Sequence, residues 1–332
     1  MKVSELGEFG LIDLLAKAVG TSSDKQLIIG IGDDAAAWRG DDSIQLATVD
    51  SFTEGVHFSL DTASWGELGW KALAVNLSDI AAMGGLPRYA LVSLALPGDT
   101  EVEAVTALYK GMLELARPFD VTIIGGDTSS AALVAINITV LGRTQSPNKH
   151  ILSRSAARPG DKVAVTGYLG TAAAGMRMLT GRLRFASEVT ARLRGAFLRP
   201  TPRVAEGQLL VEQGVKTAID VSDGLVSDMR QICKASSVGA RIEVDSVPVL
   251  PEVRDGFGDG ALELALAGGE DYELLFTGST EVINGVKEQA TCPVTVIGEI
   301  TGKAGEVALI DSRGSPFSLP RGGWEHFVPK ES

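Results

Sequence analysis

The sequence predicts a mixed α/β protein of the α+β kind, made of two domains that each pack helices on a mixed sheet. Three observations predict it. At roughly 150 residues per domain, a chain of 332 residues has room for two cores. Helix-period and strand-period segments are interleaved, but without the regular strand–helix alternation of a doubly wound sheet. A polar, basic stretch at 143–161, with Pro147, Pro159 and Gly160, splits the pattern. The expected division is an amino-terminal domain at 1–147 and a carboxy-terminal domain at 148–332.

In the first half, residues 44–50 read as a strand that closes on Asp50. Leu73, Leu77 and Ile80 recur at helical spacing, so 65–83 is a helix. Residues 88–96 are β-rich and end at Pro97-Gly98. A second helix spans 102–116 and stops near Pro118. Two strands follow, a short buried one at 121–125 and another at 134–142. In the second half, 162–166 is a strand entering Gly167 and Gly170, and an alanine-rich helix starts at Thr171. Residues 204–213 and 225–235 are helical; 217–221, 240–244, 272–277 and 294–300 are strands. The last thirty or so residues read as irregular.

Hydrophobic residues make up 45% of the chain and charged residues 22%, which favours globular packing over disorder. A net charge of −12 repels nucleic acid and anionic membrane, so neither is an expected partner. No run reaches the ~18 apolar residues of a membrane span. Met1 to Gly10 lacks an apolar run after a basic start, so no signal peptide is expected and the cytoplasm is the expected location. Cys233 and Cys292 lie far apart without clustered histidines, which indicates neither a zinc site nor a disulfide framework.

Aspartate falls at a glycine turn, a strand end or inside an apolar helix in five segments. These are Gly30-Ile31-Gly32-Asp33-Asp34, Thr48-Val49-Asp50, Asn76-Leu77-Ser78-Asp79, Gly125-Gly126-Asp127-Thr128 and Asp220-Val221-Ser222-Asp223-Gly224. Any one of them alone is also ordinary turn or cap chemistry. Asp79 is harder to explain that way, because an unpaired carboxylate in an apolar helix is costly. Together they favour a site where several magnesium ions sit among hard oxygen ligands and neutralise carboxylates that would otherwise repel.

No Walker A loop is present, and Gly30-Ile31-Gly32 lacks the third glycine of a dinucleotide fingerprint. Gly167-Tyr168-Leu169-Gly170 either cradles an anion or is a tight strand-to-helix turn. His57, Arg154 and Trp324 each have two readings, as ligand contacts or as structural or solvated side chains. The acids of Gly268-Gly269-Glu270-Asp271-Tyr272-Glu273 likewise either serve a site or follow a helix stop into solvent.

At these segments the sequence resembles the thiamine-monophosphate kinase family, in the superfamily of aminoimidazole ribonucleotide synthetase and selenophosphate synthetase. The matching text includes Gly7-Glu8-Phe9-Gly10-Leu11-Ile12, Gly30 to Asp34, the helix from Lys71 to Gly84, Ile124 to Thr128, Ile219 to Leu225, and Gly268 to Leu274. The resemblance implies ATP-dependent conversion of thiamine monophosphate to thiamine diphosphate by a homodimer that pairs through its amino-terminal domain, with ATP near that interface. It implies magnesium ligands at Asp34, Thr48, Asp50, Asp79, Asp127, Asp220 and Asp223, with Asp50, Asp127 and Asp220 central to catalysis. It implies ATP contacts at Tyr109, Gly126, Asp127, Arg154 and Ser222, and substrate contacts at His57, Glu270 and Trp324. One departure stands out: Val49 occupies a position where family members often carry a hydroxyl residue. The chain has no cysteine before Cys233, unlike selenophosphate synthetases with a reactive residue near the amino terminus. A synthetase of the same superfamily and a non-catalytic acidic metal-binding module are the competing readings.

The charge balance sets an expectation for mechanism. ATP and a phosphate monoester are both polyanions, so bringing them together beside aspartates requires cations. The acceptor phosphate oxygen is already ionised and needs no general base. Direct in-line transfer driven by positioning and electrostatics is expected, without a phosphoenzyme.

Overall fold

In the computed structural model of the chain, the described residues are 27–29, 33, 36–39, 43–145, 150–319 and 323. The helix α1 (Trp65–Ala82) organises the first half. It starts in a capping box: the Ser64 side chain accepts from the Glu67 amide, and the Glu67 carboxylate accepts from the Ser64 amide. A surface helix would bury one stripe. This one is buried almost all round, with Lys71, Asn76 and Ser78 inside along with its apolar residues.

One side of α1 packs on a six-stranded sheet. Its strands are β1 (Leu27–Ile29), β2 (Ala36–Arg39), β3 (Ile44–Thr53), β4 (Leu86–Leu96), β5 (Thr122–Ser130) and β6 (Ala135–Arg143). The order is β1-β2-β3-β6-β4-β5, antiparallel except for the parallel pair β4–β5. Helix α2 (Val102–Ala116) packs against α1 nearly backbone to backbone. A Cβ on Gly69 would lie 1.8 Å from the Leu108 carbonyl oxygen, so only glycine permits the approach.

The second half holds β7 (Lys162–Thr166), α3 (Thr171–Thr180), α4 (Ser187–Leu198), α5 (Val204–Glu212), β8 (Thr217–Asp220), α6 (Leu225–Ser236) and β9 (Gly239–Glu243). It continues with α7 (Pro251–Phe257), α8 (Gly260–Ala267), β10 (Leu274–Gly278), α9 (Thr280–Gln289), β11 (Val294–Thr301) and β12 (Val307–Ile310). Its sheet runs β12-β9-β11-β7-β10-β8, with β12–β9 the parallel pair. Both faces are covered. Val163, Val165, Ile219 and Leu275 join one core with α3, α6 and α8, while Ala164, Ala218 and Phe276 join another with α5 and α9. Hence β7, β8 and β10 are buried almost continuously rather than at alternate residues. The two halves meet on α1: Arg194 of α4 forks onto Glu67 at 2.7 and 2.6 Å, and a Cβ on Gly207 of α5 would sit 2.2 Å from the Ala81 carbonyl. Burial works against ionisation of Glu67, but hydrogen bonds from Arg194 and Ser64 outweigh it and hold the carboxyl below its usual range.

The mixed two-sheet architecture agrees with the sequence reading, and several elements differ from it. The strand expected to be short and buried at 121–125 is the nine-residue β5, an edge strand beside β4 that is exposed along most of its length. The tail read as irregular contains β12, too short to show a period and recruited by β9. Helices α4, α7, α8 and α9 were not expected. Asp255-Gly256 and Asn284-Gly285 carry turn chemistry, and tertiary burial of Val253, Ile283 and Val286 overrides it. The expected boundary between 147 and 148 lies outside the described residues. Among the described residues no helix is long and apolar enough to cross a membrane.

Gly69→Ala should force α1 and α2 apart and destabilise the protein by about 3 kcal/mol in urea unfolding. Gly98→Ala, where a Cβ meets nothing within 4 Å, should stay within ~0.5 kcal/mol of the parent.

Candidate active site

Three segments converge where the carboxy-terminal end of α1 meets the second sheet. On β3, the row facing α1 carries Leu46, Thr48, Asp50 and Phe52. The Thr48 hydroxyl donates to Asp79 Oδ2 at 2.5 Å, which fixes the carboxylate in the last turns of α1. The neighbouring Ser78 donates to Asp220 Oδ2 at 2.6 Å, and Asp220, at the end of β8, is only 2% exposed. One helical turn thus orients carboxylates from both halves of the chain. Val49, where the family often has a hydroxyl, points its side chain to the opposite face of β3 and is 61% exposed.

The third segment is the loop before β10. Glu270 and Tyr272 adopt left-handed φ values of 60° and 51°, conformations that bulky residues avoid unless the surroundings impose them. Here the Glu270 amide donates to the Ser222 carbonyl at 2.7 Å and the Tyr272 amide to the Val221 carbonyl at 2.9 Å. The loop is therefore sewn to the Asp220–Gly224 turn. The resulting pocket of about 320 Å³ is lined by Asp50, Asp79, Asp220, Ser222, Asp223, Glu270, Tyr272 and His57, with Phe52, Val75, Val56 and Met176 as apolar wall. His57 stacks on Phe52, and its Nδ1 accepts the Thr53 amide at 3.0 Å, which leaves Nε2 as the protonated nitrogen of the neutral ring. Tyr272 reports the local field: burial first, then the negative charges of Glu270, Asp50, Asp220 and Asp79, push its hydroxyl pKa well above the ordinary value.

Residues 32–144 match the family of AIR synthase related proteins, N-terminal domain, and residues 158–311 match the corresponding C-terminal domain. The chain is 36% identical over 332 residues to the thiamine-monophosphate kinase of Bacillus subtilis strain 168, covering 97% of this chain and 100% of that one. It is 38% identical over 329 residues to the Escherichia coli K12 enzyme of the same name, covering 97% and 98%. A solved structure, AaThiL complexed with AMPPCP and TMP, superposes with a TM-score of 0.85 at 34% identity, covering 98% of this chain and 99% of that one.

The chain belongs to the thiamine-monophosphate kinase family.

In this family member the pocket brings together Asp50, His57, Asp79, Asp220, Ser222, Asp223 and Glu270, with Thr48 directly behind Asp79. Other expected site residues stand elsewhere. Gly126 and Asp127 are exposed on β5, with Asp127 in the row of Ser93, Asn137 and Ser51 on the outer face of the first sheet. Tyr109 on α2 packs against the first core. Arg154 sits beside Asp33: its amide donates to Oδ2 at 3.2 Å, and its Nε lies 3.6 Å from Oδ1. Asp34 and Trp324 lie outside the described residues.

The donor set suits magnesium. Asp50, Asp79, Asp220 and Asp223 present hard carboxylate oxygens beside the Thr48 hydroxyl, with Asp79 at the negative end of the helix dipole. Among the described residues, no three His, Cys, Asp or Glu side chains form a ready-made cage for one ion.

Two further aspartates matter: Asp271, which the sequence marked only as one of the acids after Gly269, and Asp228, which it did not mark at all. Asp271 accepts the Gly170 amide at 2.7 Å and the Ala172 amide at 3.1 Å, so the protein's own carboxylate occupies the Gly167–Gly170 turn. Asp228 Oδ2 accepts the amides of Ser222, Asp223 and Gly224 at 3.1, 3.2 and 3.1 Å. The spacing of Asp228 from Gly224, inside the first turn of α6, was the available signal for the second. Both glycine turns are therefore filled from within.

Burial raises the Asp271 carboxyl to about 7 from 3.8, against the lowering effect of the Gly170 and Ala172 amides. A pKa raised by folding stabilises below the unfolded value, and that contribution is lost as pH climbs through the folded one. Urea midpoints measured across this window, from about 4 to about 7, should move in favour of Asp271→Asn relative to the parent as pH rises.

Proposed function

We propose that this chain transfers the terminal phosphoryl group of ATP to thiamine monophosphate, giving thiamine diphosphate and ADP. The observation that carries the reading is the convergence of Asp50, Asp79 and Asp220 on one pocket with an apolar and aromatic wall. It is supported by family membership and by a relative at 34% identity described with AMPPCP and TMP.

Asp50, Asp79, Asp220 and Asp223 would hold magnesium, with Thr48 fixing Asp79 and placing its own oxygen beside it. Magnesium held by these residues would offset the charge of the phosphates and so favour in-line displacement. Ser222, on the turn held by Asp228, faces the nucleotide. Glu270 and His57 orient the thiamine end, whose heteroaromatic rings fit the wall of Phe52, Val56 and Met176. An ionised phosphate oxygen of the acceptor attacks the γ-phosphorus as the bond to the β-phosphate oxygen breaks. No base need remove a proton, and His57, with Nδ1 committed to the Thr53 amide, is not required as one. Transfer is direct, without a phosphoenzyme.

Val49 and Leu91 share a row on the outer face of the first sheet, flanked by Tyr89 and Ile124; they are 61, 37, 41 and 50% exposed. We take this face to be covered by a second copy of the chain, which would set Gly126 and Asp127 at the interface with the nucleotide and give them, with Arg154 and Tyr109, their expected ATP contacts. Residues 1–147 would then supply dimerisation and most metal ligands, and residues 148–332 would complete the site. A cytoplasmic location fits the use of ATP.

A coupled ADP-release assay with ATP, magnesium and thiamine monophosphate should yield thiamine diphosphate by chromatography, abolished by EDTA. Asp50→Asn should lower kcat by about 100-fold or more with an unchanged melt. ATP binding without product would shift the reading to the synthetase relatives.

A further inference from the structure

Lys71 is the one charged side chain in the buried middle of α1, at 1% exposure. Its ammonium lies 3.0 Å from Glu270 Oε2 and 3.6 Å from the centre of the Phe197 ring on α4. Glu270 is 28% exposed, lines the pocket and has a left-handed backbone pinned to Ser222. Backbone and one carboxylate oxygen are thus both fixed, and Oε1 is the oxygen left to meet a ligand. A buried ion pair is seldom more stabilising than an apolar filling of the same space, so packing alone does not account for a lysine here. Desolvation lowers the Lys71 pKa and the Glu270 charge counters it, as expected of an ammonium kept in place by its partner.

We propose that Lys71 is a positioning residue that locks the Glu270 carboxylate toward the cationic heteroaromatic ring of the acceptor substrate. Lys71 thereby sets acceptor affinity and specificity without touching the substrate. The inference rests on the thiamine monophosphate reading above. It also separates the two partners of the pair. Losing Lys71 leaves a partly exposed carboxylate that water can solvate, whereas losing Glu270 strands a buried ammonium.

The test is steady-state kinetics on Lys71→Met, Lys71→Gln, Glu270→Gln and the Lys71→Met/Glu270→Gln double variant, with melting curves for each. Lys71→Met should melt close to the parent and raise KM for thiamine monophosphate about tenfold or more, with KM for ATP and kcat within about twofold. Lys71→Gln, which keeps a donor, should fall between. Adding Lys71→Met to Glu270→Gln should cost nothing further in KM. Equal losses for both substrates, an unchanged acceptor KM or additive effects in the double variant would overturn the proposal. If Lys71→Met does not fold, Lys71→Gln decides by the same comparisons. A parent protein that neither binds nor phosphorylates thiamine monophosphate overturns the function reading itself, and this inference with it; an active parent with unaffected Lys71 variants overturns only this inference.

Discussion

The structure turns on carboxylates gathered at the negative end of a buried helix. Asp79 sits in the last turns of α1, where the helix dipole disfavours it. Ser78, one residue earlier, holds Asp220 from the other half of the chain. Asp50 and Asp223 line the same pocket. Carboxylates gathered this closely disfavour one another's ionisation, and nearby cations favour it. The remainder of the fold serves to hold α1 rigid: backbone-close packing on α2 and α5, a capped start, and a fork from Arg194.

The same logic explains how phosphate recognition is arranged. Glycine turns at helix starts commonly bind phosphate through their amides. Here Asp271 fills the turn before α3 and Asp228 fills the turn before α6. The amides of these two turns are thus satisfied by the protein's own carboxylates. The fillings also fix the loops: Asp228 presents Ser222 and Asp223, and Ser222 in turn anchors the strained Glu270 segment.

The sequence made much of this legible. Asp79 stood out because an acid inside an apolar helix needs a reason, and α1 appeared at nearly its full length from Leu73, Leu77 and Ile80. The mixed two-sheet class followed from irregular interleaving. What was not legible depended on tertiary contact. β5 reads as a buried strand because Val121, Ile123 and Ile124 are apolar, and only the strand order shows it to be an edge. Asn284-Gly285 reads as a turn and is helical because Ile283 and Val286 are buried. Lys71 lay in plain view within an apolar run, but its partner is 199 residues away and no local spacing links them. Nor does spacing reveal that Asp127 lies on the opposite sheet face from Asp50, since that depends on the register of three strand pairings.

The most direct measurement is a calorimetric titration of the protein with ATP in magnesium and again in EDTA. If cations mediate between these carboxylates and the phosphates, ATP binds in magnesium and shows no measurable heat of saturable binding in EDTA. Comparable affinity in both buffers would contradict the account, because the phosphates would then be recognised by protein groups alone.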